Sequence, residues 1–323
     1  MVGLRRRQPT PAPTLVVGES LVDVVVRPDG SREEHVGGSP LNVAVGLARL
    51  GHPVSLATHL ARDAHGAVIG EHLTEAGVVL APGSDTAVDT STATATLDET
   101  GAATYSFDLD WRLPPLPETT GHLHTGSIGA LKPPGGVDVL SAMAGAARTR
   151  TVSYDPNIRP DLFPDQELAR DEVARRIAVS DVVKASDEDL QWLAGRSLDD
   201  NEIADHLRAW CDAGPVLAVC TLGARGALVL LPSGRRTTLR AHRVEVVDTV
   251  GAGDAFMSGL LSGLLDAGLL GGADAKSRLH GARGQVLSEA VERGLAASAH
   301  TVSRAGAQPP TRAELGLPSR PGR

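Results

Sequence analysis

Asp248-Thr-Val-Gly251-Ala-Gly253-Asp254-Ala-Phe-Met-Ser-Gly259-Leu-Leu is the stretch whose reading decides the fold. It follows Val244 to Val247, which reads as a strand, and opens an apolar segment that reads as a helix to about Gly268. Gly251 and Gly253 lack Cβ atoms, so the backbone can turn sharply and an anion can come close to the peptide N–H groups. The unpaired N–H groups at the start of a helix and the positive end of its dipole point at the same place. Asp254, in the first turn, could accept a proton from a hydroxyl. A phosphate cradle beside a base is the minimum equipment for phosphorylating an alcohol. The plainer reading is a tight turn followed by an acid that compensates the helix dipole.

Two other phosphate motifs are excluded. A Walker loop needs Lys after its second glycine, and Lys132, Lys184 and Lys276, the chain's only lysines, do not follow such a loop. A dinucleotide fingerprint needs a third Gly or Ala at position 256, where the chain has Phe256.

The 323 residues can bury a full α/β core, and 41% hydrophobic with 22% charged residues is ordinary for a globular protein. A net charge of −8 argues against nucleic acid as a partner and gives no signal for a membrane surface. Cys211 and Cys220 read as reduced core thiols. No apolar run reaches membrane-spanning length, and Arg5-Arg6-Arg7 is followed by Pro9, Pro11 and Pro13 rather than by an apolar stretch. The expectation is a cytoplasmic protein with a disordered tail over 1–13.

Outward from the central stretch, short strands alternate with helices. Thr14 to Asp23 reads as one strand-like run, TLVVGESLVD. Ser39 as N-cap, Pro40 at the first helical position and Gly51 beyond the end bound a helix. Val54 to Thr58, His122 to Thr125, Val152 to Tyr154, Val182 to Lys184 and Val216 to Thr221 read as strands. Helices are expected over Asp63–Ala76, Val137–Arg148, Asp165–Val179, Asp187–Leu193, Ile203–Ala213 and about Val286–Ala299, with Gly271 to Gly284 as a surface loop. That rhythm argues for a parallel sheet covered on both faces. Two hairpins break it, one around Pro28-Asp29-Gly30 and one around Asp98-Glu-Thr-Gly101. They suggest a small separate sheet. Ala227 to Leu231 and Thr237 to Arg240 read as a late hairpin.

Ligands of a parallel sheet collect at the carboxyl ends of its strands. Asp23, Asp155-Pro-Asn157-Ile-Arg159, Lys184-Ala-Ser-Asp187-Glu188-Asp189, Thr221-Leu-Gly223 and the Asp248 stretch all fall at such ends. Each is explained singly by a turn or a cap, as with Ser186 and Asp189 in a capping box. One shared rim needs more than that.

Gly37-Gly38-Ser39-Pro40-Leu41-Asn42-Val-Ala and Asp248-Thr-Val-Gly-Ala-Gly-Asp254 resemble the two signatures of the ribokinase (pfkB-type) carbohydrate kinases, over about Leu15 to Gln308. The resemblance implies a Rossmann-like α/β three-layer sandwich over 14–318, with a small β-sheet lid at about 24–37 and 88–112. It implies Asp254 as the base and Gly251, Ala252 and Gly253 as the anion hole for the γ-phosphate. Asp23, Gly37, Gly38 and Asn42 match sugar-binding positions, with Tyr105 and Arg159 as further candidates. Lys184, Thr221, Gly223 and Gly226 match the ATP site together with Gly253. Glu188 matches the acid that holds Mg2+ through water, although relatives often carry Asn where this chain has Ser186. Carbonyls near Asp248 and Val250, with the loop Arg304-Ala-Gly306-Ala-Gln308, match a monovalent-cation (K+) site, but Pro309-Pro310 follows here where some relatives place a serine ligand. Among such kinases, Gly18-Glu19-Ser-Leu-Val-Asp23 and the clusters above look most like bacterial fructokinases. 2-Keto-3-deoxygluconate kinase and ribokinase are the alternatives, and a catalytically silent sugar-binding protein the alternative of another class. A homodimer through the lid is expected.

Overall fold

The computed structural model describes residues 12–100, 102–117 and 121–319. Its main sheet has nine strands in the order β13-β12-β11-β10-β9-β8-β1-β4-β5. These are β1 (Thr14–Val17), β4 (Val54–Ala57), β5 (Val79–Leu80), β8 (His122–Gly126), β9 (Thr151–Asp155), β10 (Val182–Ser186), β11 (Leu217–Thr221), β12 (Ala227–Leu230) and β13 (Arg236–Leu239). The run from β11 to β5 is parallel, and the β12–β13 hairpin closes one edge antiparallel. A second sheet, ordered β3-β2-β6-β7, is built from β2 (Leu21–Val26), β3 (Arg32–Gly37), β6 (Thr92–Leu97) and β7 (Ala103–Asp108). Its two antiparallel hairpins are joined by the parallel pair β2–β6. The fold is the expected Rossmann-like sandwich with a small extra sheet.

Helices α1 (Ser39–Arg49), α2 (Ala64–Ala76), α8 (Ala252–Asp266), α9 (Ala273–His280) and α10 (Gly284–Val302) supply one face of the main sheet. On the other lie α3 (Ser127–Leu131), α4 (Gly135–Ala147), α5 (Gln166–Ala178), α6 (Asp187–Ala194) and α7 (Asp200–Ala213). In β1, Val16 packs with the first set while Leu15 and Val17 pack with the second. A strand buried on both sides is apolar at successive positions, which is why TLVV does not alternate. α8 is the central helix, buried from Asp254 to Leu265. Gly259 and Gly263 let it lie close to α10: a Cβ on Gly263 would stand 2.6 Å from the Cα of Ala290.

Four expectations are corrected. TLVVGESLVD is two strands in different sheets, because the chain turns at Gly18 (φ 151°), where a side chain would overlap Pro40. Val244 to Val247 is irregular and forms no strand: the amides of Val247 and Asp248 instead donate to the carbonyl of Val302, at the end of α10. The presumed loop 271–284 contains α9, whose Leu279 is fully buried. Ser39 is no cap; Gly38 holds the N-cap position (φ 110°) and Ser39 lies inside α1, its hydroxyl engaged elsewhere. The short α3 escaped a sequence reading, since its five residues carry no periodic signal. The tail expected over 1–13 lies outside the described residues except for Ala12 and Pro13.

Candidate active site

α8 begins at the main sheet's carboxyl rim. Its N-cap, Gly251, is left-handed (φ 72°) and no side chain caps the helix. A Cβ on Gly251 would come within 2.6 Å of the Cβ of Ala307, so this turn needs glycine twice over, for its backbone angle and for room. The Ala252 amide swings back to the carbonyl of Thr249 at 3.2 Å. In this arrangement the left-handed turn holds the Ala252 N–H, expected to face a phosphate, against the loop. The Gly253 amide is the one at the mouth of the helix, where the dipole favours an anion.

Asp254 follows, 8% exposed. Ser39 Oγ donates to its Oδ1 at 2.6 Å and Asn42 Nδ2 to its Oδ2 at 2.8 Å. The two signature segments therefore meet through side chains, with α1 orienting the carboxylate of α8. Asn42, expected to serve the sugar, is spent at least in part on Asp254.

Behind the cradle lies Lys184, on β10. Its Nζ stands 3.0 Å from Asp155 Oδ2, with both residues buried, and 3.2 Å from where a Gly253 side chain would begin. Burial opposes a charged ammonium here, but the carboxylates of Asp155, Asp189 and Asp254 outweigh it and raise the Lys184 pKa. Burial pushes Asp155 up to about 7, with Lys184 pulling it down. The ammonium is the fixed charge of the pair, because several carboxylates face it. Asp155 Oδ1 is buried without a hydrogen-bond partner.

On the acceptor side, a Cβ on Gly37 would lie 2.2 Å from Asp23 Oδ2, and one on Gly38 would lie 2.6 Å from the carbonyl of Glu19. The Gly-Gly pair thus lets Asp23, on β2, fold down over the chain that leads into α1. Partial desolvation raises the Asp23 carboxyl, and the charges of His35 and Arg159 oppose that. Arg159 Nη1 donates to Asn157 Oδ1 at 2.7 Å and stays exposed. Asn157 (φ 38°) and Ser127 (φ 53°), at the ends of β9 and β8, are left-handed without being glycines. Backbones of that kind cost on the order of 1 kcal/mol and persist where the surroundings over-determine them. The side chain of Tyr105 lies outside the described ones; its backbone pairs with Ala95. Trp111 is buried against Gly135 and donates to the carbonyl of Gly129, so it is core rather than sugar-facing.

The remaining candidates lie farther along the rim. Thr221 ends β11, its hydroxyl 3.4 Å from the carbonyl of Ala185. Gly223 (φ 55°) and Gly226 (φ 105°) shape the β11–β12 loop, and at Gly226 a Cβ would collide with the carbonyl of Leu239. In the first turn of α6, Asp189 closes the capping box with Ser186 and Asp187 pairs with Arg225, while Glu188 stands exposed. Among the described residues no three His, Cys, Asp or Glu side chains gather to hold a metal. A single exposed acid suits a cation that keeps most of its waters and leans on substrate phosphates, as Mg2+ does. Asp248 accepts from the amides of Val250 and Gly306, at 3.0 and 2.8 Å, which draws the 304–308 loop onto the cradle and holds its carboxyl below the usual range.

A family model for pfkB family carbohydrate kinases matches residues 14–314. The chain belongs to this family. A fructokinase of Rhizobium leguminosarum bv. trifolii is 35% identical over 263 residues, 77% of this chain and 79% of that protein. The fructokinase of Vibrio cholerae O395, a double mutant in a fructose, ADP and potassium-ion bound form, superposes with a TM-score of 0.77 at 27% identity, covering 96% of this chain and 99% of that one. A fructokinase of Xylella fastidiosa with bound ATP gives 0.78 at 25% identity, covering 94% and 97%. The chain is thus a carbohydrate kinase.

Among the residues that sequence reasoning passed over, Ser39 was hidden by its resemblance to an N-cap. The pairing of Asp155 with Lys184 was legible only as two polar residues at neighbouring strand ends.

Proposed function

We propose that this chain is an ATP-dependent fructose kinase. The observation that carries the reading is Asp254, held on both oxygens by Ser39 and Asn42, one residue past the amide of Gly253 at the mouth of α8. The acceptor hydroxyl gives its proton to Asp254 as its oxygen bonds to the γ-phosphorus. The bond from that phosphorus to the β,γ-bridging oxygen breaks, and ADP leaves. The Gly253 amide, the α8 dipole and the Lys184 ammonium meet the charge on the moving phosphoryl group. Mg2+, held through water by Glu188, would neutralise the phosphates. Asp23, Gly37, Gly38 and Arg159 bind the sugar, and Thr221, Gly223 and Gly226 line the nucleotide. The junction between the Asp248–Val250 turn and the 304–308 loop is the place for K+. Similarity to fructokinases supports fructose as the acceptor.

The small sheet acts as a lid and joins two copies of the chain, since a four-stranded sheet with open edges at β3 and β7 lacks protection by itself. Residues 14–318 act as one kinase unit that works in the cytoplasm, a reading supported by its need for ATP and by the two free thiols Cys211 and Cys220. No helix among the described residues is long and apolar enough to cross a membrane.

A coupled assay with ATP and Mg2+ across fructose, ribose, 2-keto-3-deoxygluconate and adenosine tests the acceptor. Fructose is expected to give the highest kcat/KM; a tenfold win for another acceptor, about 1.4 kcal/mol of transition-state preference, overturns fructose and leaves the kinase standing. A monomeric mass by light scattering at micromolar concentration would count against the dimer.

A further inference from the structure

The reaction just described leaves Glu19 without a task. Glu19 follows Gly18 where the chain leaves β1 of the main sheet for β2 of the small one, and it is 4% exposed. Its Oε2 accepts from the amide of Gly129 at 2.6 Å, and the nearby hydroxyl of Ser127 favours the charged form of the same carboxylate. Both partners belong to α3, at the end of β8. Gly129 is gripped a second time: its carbonyl accepts from Trp111 Nε1 at 2.7 Å, and Trp111 lies where the chain returns from β7. One residue of α3 is therefore held by the outgoing connection of the small sheet through its N–H and by the returning one through its C=O. Nothing larger than glycine fits there, since a Cβ would lie 2.7 Å from the Cα of Gly18.

The same carboxylate reaches the acceptor side. Ser127 Oγ is 3.4 Å from the carbonyl of Asn157, and Asn157 holds Arg159. Ser127 and Asn157 are the two non-glycine residues of the described chain with left-handed backbones, and they sit side by side on adjacent strand ends. The charge of Arg159 is felt by both Glu19 and Asp23. Glu19 is thus bonded to α3, Ser127 of α3 reaches Asn157, Asn157 holds Arg159, and the charge of Arg159 acts across space on the sugar-binding acid Asp23. A carboxylate buried this deeply is costly unless its hydrogen bonds serve a purpose.

We propose that Glu19 is a positioning residue for the sugar. It fixes the Ser127–Asn157 strand ends and the joint of the small sheet in one arrangement, so that Asp23 and Arg159 meet the acceptor together. It touches neither the phosphoryl group nor Asp254, so it acts on acceptor binding and not on ATP. This inference rests on the sugar-kinase reading, and the test separates the two.

The test is steady-state kinetics in both substrates, with melting temperatures, for the wild type, Glu19→Gln and Ser127→Ala at pH 8. Wild-type turnover comes first, and a wild type silent on all four acceptors removes both readings. With an active wild type, Glu19→Gln is expected to raise the KM of the best acceptor about tenfold while KM for ATP stays within twofold and the melting temperature does not fall. Ser127→Ala is expected to move the acceptor KM the same way, by about threefold. Filler would give the opposite pattern: an acceptor KM within twofold of wild type in both variants, or acceptor and ATP KM rising together as the melting temperature drops. Either result overturns the role of Glu19 and leaves the kinase intact. Should Glu19→Gln fail to accumulate, Ser127→Ala decides by the same criterion.

Discussion

Asp254 has two donors on its carboxylate, and they make different predictions from the loss of the carboxylate itself. Asp254→Asn is expected to lower kcat by about 10²-fold or more, the usual scale for a general base, with ATP binding and melting temperature near wild type. Near-normal turnover in that variant would remove Asp254 as the base. Ser39→Ala and Asn42→Ala leave the base in place but free one of its oxygens each, so each is expected to cost about tenfold in kcat, a loss below that of Asp254→Asn. Glu19 supplies a pH dependence with a definite sign. Burial raises its pKa from 4.5 to about 7, against its bonds to Gly129 and Ser127 and the charge of Arg159. The folded chain therefore binds more protons than the unfolded one between those two values. Wild-type stability from this group falls as pH rises through that window and is flat above it. Glu19→Gln escapes the loss and should gain up to about 3 kcal/mol on the wild type between pH 4.5 and 8. Urea unfolding at both ends of the range measures it, and a constant gap between the two proteins would contradict the assignment. Such residues were hard to read from sequence for a physical reason. Ser39 before Pro40 satisfies every local rule for a cap, and only a partner 215 positions away claims its hydroxyl.

At the scale of elements, boundaries carrying their own chemistry were legible and those set by distant contacts were not. α5, α6 and α7 start at side-chain caps on Asp165, Ser186 and Asp199, within a few residues of where the sequence places them. The GAGD turn was legible because glycines and an acid at that spacing mean the same thing locally and globally. Val244 to Val247 reads as a strand by β-branched composition, yet it pairs with no described strand and the amide of Val247 bonds the end of α10 instead. The Gly251 turn is the element to probe. Gly251→Ala puts a Cβ at φ 72° against Ala307, and it is expected to cost about 1–3 kcal/mol and at least 10² in kcat as Gly253 leaves its place. A variant that melts lower but turns over normally would show that the cradle tolerates the shift, and the phosphate role of the turn would fall.

For the whole molecule, binding and folding are linked. Fructose at a hundred times its Kd should raise the unfolding free energy by about 2.7 kcal/mol, a thermal shift of about 4 °C for a chain of this size. A larger shift with adenosine or ribose at equal concentration would redirect the acceptor assignment. The two contacts that orient Asp254 also span 215 and 212 residues of chain. During synthesis at roughly 5–20 residues per second, Ser39 and Asn42 leave the ribosome about 10–40 s before the acid they serve. Over that interval the growing chain already carries the glycine pair and Asp23, gains Arg159 past the halfway point, and has no Asp254 to accept a proton from a hydroxyl. A message broken before the codon for Asp254 therefore yields a product that can at most recognise sugar, and transferase activity is gained in a single step when α8 docks beside α1.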